Sequence, residues 1–173
     1  MPAHALALVL AAALLHALWN LLAKHNAGRA GNAVVVGIMA GLPAALTLPF
    51  SALPDSAAWP QVIASALIHV VYFKVLAGAY RGGDLSVAYP LMRGLPPLAV
   101  AMAAIFIFGE NLSLVGWTAL LVLIAGVLLL GLDGMRGGAL SASAARFVAV
   151  QIVIIVTYTL VDASGVRASG NPW

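Results

Sequence analysis

The chain has 173 residues, of which 64% are hydrophobic and only 8% are charged, whereas charged residues make up about 25% of an average soluble domain. This composition excludes a soluble globular domain and indicates a membrane protein. The formal net charge of +3 comes from basic residues spread over short connections, which favours membrane topology signals over nucleic-acid binding. Because the chain has no cysteine and only four scattered histidines, we expect no disulfide, no metal site and no cofactor.

Six apolar runs are each long enough to cross about 30 Å of hydrocarbon as an α-helix. They are residues 3–23, 33–53, 59–80, 86–108, 114–132 and 147–165. The sequence therefore predicts an all-α fold, a polytopic bundle of membrane helices. Residues 133–146 are rich in Gly and Ser and are predicted to be a linker that separates five helices from a sixth.

The first run carries His16, Trp19 and Asn20 near its end. His16 and Asn20 are one helical turn apart and so share a face. An Asn side chain is costly against lipid, so we expect it to point inward, where it bonds either a solute or another helix. Trp19 and Asn20 are therefore candidate substrate-binding residues, with interhelical packing as the alternative for Asn20.

The fourth run contains Arg93, with Pro90 before it and Pro96 and Pro97 after it. Proline lacks an N–H, so carbonyls one turn earlier lose their helical donor, which is tolerated at membrane depth only inside protein or beside water. Pro90 and Pro96 are therefore predicted to break the helix. A guanidinium at such a break can hold an anionic or carboxylate-bearing solute through paired hydrogen bonds.

Tyr89 and Asp162 complete the candidate site. The predicted substrate-binding residues are Trp19, Asn20, Tyr89 and Arg93. Asp162, in the sixth run, is the candidate for ion coupling, because the other acidic residues fall at the margins of connections. Arg167 argues against this role, since a guanidinium one turn away keeps a carboxylate ionised. The alternative for Arg93 is a kinked packing helix whose guanidinium pairs internally, for example with Asp84 or Asp162.

Basic residues flank the odd-numbered connections. They are Lys24, Arg29, Arg81, Arg136 and Arg146, whereas the even-numbered connections carry only Asp55 and Glu110. The positive-inside rule therefore places the odd connections in the cytoplasm and the amino terminus outside. No nucleophile–base pair and no metal-ligand spacing occurs in the sequence, which argues against an enzyme.

Several stretches of the chain together are typical of one transporter family. They are Ala-Leu-Trp-Asn-Leu-Leu-Ala-Lys (17–24), Tyr-Arg-Gly-Gly-Asp-Leu-Ser-Val-Ala-Tyr-Pro (80–90) with Arg93-Gly94, Phe-Gly-Glu-Asn-Leu-Ser (108–113) and Gly-Trp-Thr-Ala-Leu-Leu-Val-Leu-Ile-Ala-Gly-Val (116–127). Residues 1–132 resemble one EamA repeat of the drug/metabolite transporter superfamily. Residues 158–167 resemble the start of that family's second repeat.

The resemblance implies a secondary carrier of small metabolites in the inner (plasma) membrane, with two inverted five-helix repeats and alternating access at a midplane site. It implies that residues 1–132 are the first repeat, 133–146 the linker and 147–173 the first helix of an incomplete second repeat. It also implies a cytoplasmic amino terminus, opposite to the orientation that the basic residues indicate. The expected partners are a small-molecule substrate, membrane lipid, and a second copy or the missing half. The alternative is a non-transporting membrane subunit or scaffold, or a non-functional fragment of a longer carrier.

Overall fold

A computed structural model gives the fold and describes residues 3–25, 54–109 and 111–169, together with positions 41, 45 and 49. The helices in the described ranges are α1 (Ala3–His25), α2 (Trp59–Arg81), α3 (Leu85–Gly94), α4 (Pro96–Phe108), α5 (Leu114–Arg136) and α6 (Ala142–Ser169). A 3₁₀ turn, Ser56–Ala58, precedes α2. The part of the chain that the structure describes is therefore all-α, as predicted.

Four helical stretches of the described chain are long and apolar enough to cross a membrane. They are Ser56–Arg81, Leu85–Phe108, Leu114–Arg136 and Ala142–Ser169. These stretches contain or closely match the last four predicted apolar runs, so the chain is a multi-pass membrane protein. Helix α1 covers the predicted run 3–23, and most of the run 33–53 lies outside the described residues.

The connection between α5 and α6 is shorter than the predicted linker 133–146. Only residues 137–141 are outside the two helices. Gly138, with a positive φ of 74°, follows the end of α5, and the Ser141 Oγ accepts a hydrogen bond from the Ala144 N–H at 3.1 Å at the start of α6. Gly and Ser therefore end one helix and cap the next. The division of the chain into repeats stays a prediction.

Helix α6 lies at the centre of the described bundle and packs against α2, α3 and α4. It runs antiparallel to α2, because Gly78 contacts Phe147 at one end of the pair and Gly165 contacts Gln61 at the other. A Cβ on Gly78 would lie only 2.5 Å from the Phe147 ring, so this close approach of the two helices requires glycine.

The end of α1 and two of the connections between helices contact one another at one end of the bundle. Gly83, after α2, forms an antiparallel bridge with Leu140, before α6. The Lys24 Nζ, at the end of α1, donates a hydrogen bond to the Gly83 carbonyl oxygen at 2.6 Å. Arg81 and Arg136, which end α2 and α5, belong to the same connections. Lys24, Arg81 and Arg136 therefore lie at the same end of the described bundle.

The segment that contains the prolines is interrupted at Leu95, between α3 and α4. Pro96 is the first residue of α4, whereas Pro90 lies inside α3 without ending it. Leu95 keeps near-helical dihedrals, φ −83° and ψ −37°, so α3 and α4 form a nearly continuous crossing of 85–108. Gly94 brings this segment against α5, since a Cβ there would lie 2.4 Å from a Val127 methyl carbon.

Candidate functional site

Arg93 lies near the end of α3, and its guanidinium reaches two tyrosine hydroxyls. Its Nη2 donates to the Tyr72 hydroxyl of α2 at 3.2 Å, and its Nη1 donates to the Tyr158 hydroxyl of α6 at 3.4 Å. In the described ranges Arg93 has no ion pair, and Asp84 and Asp162 are exposed rather than paired with it. Within the described part of the chain, the half-buried charge thus contacts neutral hydroxyl groups.

The two tyrosines belong to an aromatic cluster that connects α2 with α6. The ring centroids of His69 and Tyr158 are 4.6 Å apart, and the rings of Tyr72 and Tyr158 are edge to face at 6.0 Å. The His69 Nδ1 lies 2.9 Å from the Ser65 carbonyl oxygen one turn earlier, which fixes the ring. These contacts hold both hydroxyls in position for Arg93.

A cavity of about 460 Å³ opens beside Arg93, between α4 and α6. Helix α4 contributes Pro96, Pro97, Val100, Ala101, Ala104 and Ile105. The polar lining residues are Arg93, Asn111, Tyr158 and Thr159. Because Pro97 cannot donate to the Arg93 carbonyl, that oxygen also lacks its usual helical partner at the edge of the cavity. The site is therefore an apolar cavity with a cationic end, of the size that small ligands occupy.

Gln151 of α6 is fully buried, at 0% exposure, and neither polar atom of its side chain has a hydrogen-bond partner among the described residues. It lies beside Tyr72 without the alignment of a hydrogen bond. Gln151 is two helical turns before Tyr158 and so on the same face of α6. A second polar group of α6 therefore lies next to the Arg93 cluster.

Asn20 takes part in an interhelical contact instead. It is 3% exposed, its Nδ2 donates to the His16 carbonyl oxygen at 2.7 Å, and its Oδ1 accepts from the Tyr80 hydroxyl at 2.7 Å. Lys24, one turn later, donates to the Tyr80 carbonyl oxygen as well as to that of Gly83. The structure thus places Asn20 in the packing contact that the sequence offered as its alternative, away from the cavity lining.

The other predicted site residues are dispersed. Tyr89 is half-buried, and its ring lies 6.1 Å from that of His16, between α3 and α1. Asp162 is exposed on α6 and does not line the cavity. Trp19 belongs to α1, but its side chain lies outside the described residues. Among the predicted binding residues whose side chains the structure describes, only Arg93 lines the cavity.

Sequence reasoning missed Tyr72, Tyr158 and Gln151 as neighbours of Arg93. The i, i+3 spacing of His69 and Tyr72 was a usable signal, because it places a ring nitrogen and a hydroxyl on one face of a membrane helix. No group of three or more potential metal ligands comes together in the part of the chain that the structure describes.

The chain is similar in part to spermidine export proteins. It is 42% identical over 60 residues to spermidine export protein MdtI of Klebsiella pneumoniae strain 342, which is 35% of this chain and 55% of that protein. MdtI of Escherichia coli strain K12 / DH10B is 40% identical over the same number of residues. The chain spans about half the length of these curated relatives.

No protein-family model matches the chain, and no solved structure matches it. The resemblance to an EamA repeat therefore stays a prediction.

Proposed function

We propose that the chain forms the solute-binding part of a membrane carrier for small molecules, and that the cavity beside Arg93 is its binding site. The observation that supports this most is a guanidinium that has no acidic partner among the described residues. A charge within a membrane span is costly, and proteins keep one there when it faces a partner or a cavity that serves a solute. Arg93 has no acidic partner in the described residues and faces the cavity.

The partial similarity to exporters supports the same class of function. We further propose alternating access, with the interruption at Leu95 as the flexible point. Helix α3 is packed closely on α5 through Gly94, whereas α4 forms one wall of the cavity. A tilt of α4 about Leu95 would open or close that wall without disturbing α3.

We place the carrier in the inner (plasma) membrane, with the end that carries Lys24, Arg81 and Arg136 toward the cytoplasm. This orientation rests on the positive-inside rule and on the close approach of these connections in the fold.

The test is uptake by the full chain reconstituted in liposomes, measured with a panel of radiolabelled amino acids, organic acids and polyamines. We expect uptake of at least one solute and its loss in Ala104→Trp, because the indole would fill the cavity. The matched control is Ala119→Trp, at an exposed position of α5 that does not line the cavity. Uptake that survives Ala104→Trp, or no uptake of any solute, would contradict the proposal.

A second candidate function is a non-transporting membrane subunit. The contacts of Asn20, Tyr80 and Lys24 favour it, because they show polar side chains of the spans serving helix packing. This function predicts that Ala104→Trp has no consequence, whereas Asn20→Leu disrupts assembly with a partner. Each variant is purified from membranes, and the proteins that co-purify with it are compared with those of the wild type. Loss of a partner in Asn20→Leu but not in Ala104→Trp would favour the subunit function.

A further inference from the structure

The sign of the charge in the cavity selects among solutes. Arg93 is the charged residue among the described residues that line the cavity, and no Asp or Glu joins it there. Its hydrogen bond to Tyr72, at 3.2 Å, is at the long end of the usual range, and that to Tyr158, at 3.4 Å, is longer still. A guanidinium carries five N–H groups, so donors remain for a carboxylate oxygen pair.

Apart from Arg93, Asn111, Tyr158 and Thr159, the side chains of the lining are apolar and favour a solute with a largely apolar body. Pro96, Val100 and Ala104 of α4 face Ile155 of α6 across the cavity, and none offers a side-chain hydrogen bond. A solute that leaves water for this space would lose affinity if its body carried further polar groups, because burying them unpaired is unfavourable. The cavity thus suits a solute with one charged group beside Arg93 and a largely hydrocarbon body.

We propose that the cavity binds amphipathic monoanions, with a carboxylate held by Arg93 and the Tyr158 hydroxyl and an apolar body lying between α4 and α6. This inference rests on the proposed function and names its substrate class. It separates the chain from the relatives named for spermidine, since a polyamine would bring positive charges to a guanidinium that no acidic side chain of the described residues neutralises.

The experiment compares two probes with the same body and opposite charge. The full chain in phosphatidylcholine nanodiscs is titrated calorimetrically with 4-phenylbutyrate and with 4-phenylbutylamine, and then with spermidine. We expect the carboxylate to bind at least about tenfold more tightly than the amine. Arg93→Gln should weaken carboxylate binding at least about tenfold, because a hydrogen-bonded charge pair is lost.

Two further variants keep the result interpretable if Arg93→Gln is poorly inserted. Tyr158→Phe retains the ring and removes one hydroxyl, so it should weaken carboxylate binding severalfold while leaving the cluster intact. Arg93→Lys keeps the charge but loses the planar fork, so it should bind the carboxylate more weakly than the wild type and still prefer it over the amine.

The outcomes distinguish a failure of the substrate-class inference from a failure of the carrier proposal. Amine or spermidine binding as tight as carboxylate binding overturns the anion inference. If spermidine is also taken up and Ala104→Trp stops that uptake, the carrier proposal stands without the inference. Binding of phosphatidylglycerol in mixed nanodiscs, with no binding of 4-phenylbutyrate, likewise overturns it, because the site would then hold a lipid phosphate.

Discussion

The hydrogen bond between Tyr80 and Asn20 provides a quantitative test of how α1 joins α2. The Tyr80 side chain is 1% exposed, and its hydroxyl donates to the Asn20 Oδ1 at 2.7 Å. Tyr80→Phe keeps the ring but leaves that buried oxygen without its donor, so we expect a loss of about 1–3 kcal/mol in the free energy of unfolding. Asn20→Leu leaves the hydroxyl unpaired in turn and should cost a similar amount.

The double variant isolates the bond itself. Interhelical hydrogen bonds in membrane proteins contribute about 0.6 kcal/mol on average and up to about 1.7 kcal/mol, so the coupling energy should fall in that range. The assay is denaturant titration in mixed micelles for both single variants and the double. Thr157→Val, on an exposed face of α6, is the control partner and should combine additively with Tyr80→Phe. A coupling energy of zero between Tyr80 and Asn20 would refute the contact.

Three other variants test the packing and the buried polar groups. Gly94→Ala should lower stability by about 1–3 kcal/mol, because its Cβ would lie 2.4 Å from a Val127 methyl carbon, and Val127→Ala should restore much of the loss. Gln151→Leu should leave stability unchanged or raise it, since the amide has no hydrogen-bond partner in the part of the chain that the structure describes; a clear loss would show that Gln151 binds something in the native protein. Lys24→Met should destabilise the bundle end, measured by faster proteolysis near Gly83, whose carbonyl it bonds.

Much of the fold follows from the sequence because membrane helices have a strong length and composition signal. The runs 59–80, 86–108, 114–132 and 147–165 match spans of the structure, with differences at the ends. The ends are less predictable, since the predicted linker 133–146 is largely helical and its turn is set by Gly138 and Ser141.

The site was predictable only where a single residue carries the signal. Arg93 could be singled out from the sequence, because a charged side chain within a membrane span is energetically costly. Its partners Tyr72 and Tyr158 come from distant helices, and a single sequence gives no information on which faces meet. Asn20 could not be assigned from the sequence, because solute contact and helix packing both predict an amide that points into the bundle. The structure adds the hydrogen bond from the Tyr80 hydroxyl, which is a packing contact.

The central claim, that the cavity beside Arg93 is open to water and selective for anions, is tested most directly by thiol labelling. The chain has no cysteine, so Thr159→Cys places a single thiol on the cavity wall. The thiol is reacted with an anionic reagent, sulfonatoethyl methanethiosulfonate, and with a cationic one, trimethylammonium-ethyl methanethiosulfonate. Each reaction rate is divided by the rate of the same reagent with a free thiol in solution. Thr157→Cys, which does not line the cavity, serves as the control position.

We expect the anionic reagent to be favoured by about tenfold at position 159, and Arg93→Gln to remove this preference. A thiol that does not react, or that prefers the cationic reagent, would contradict it.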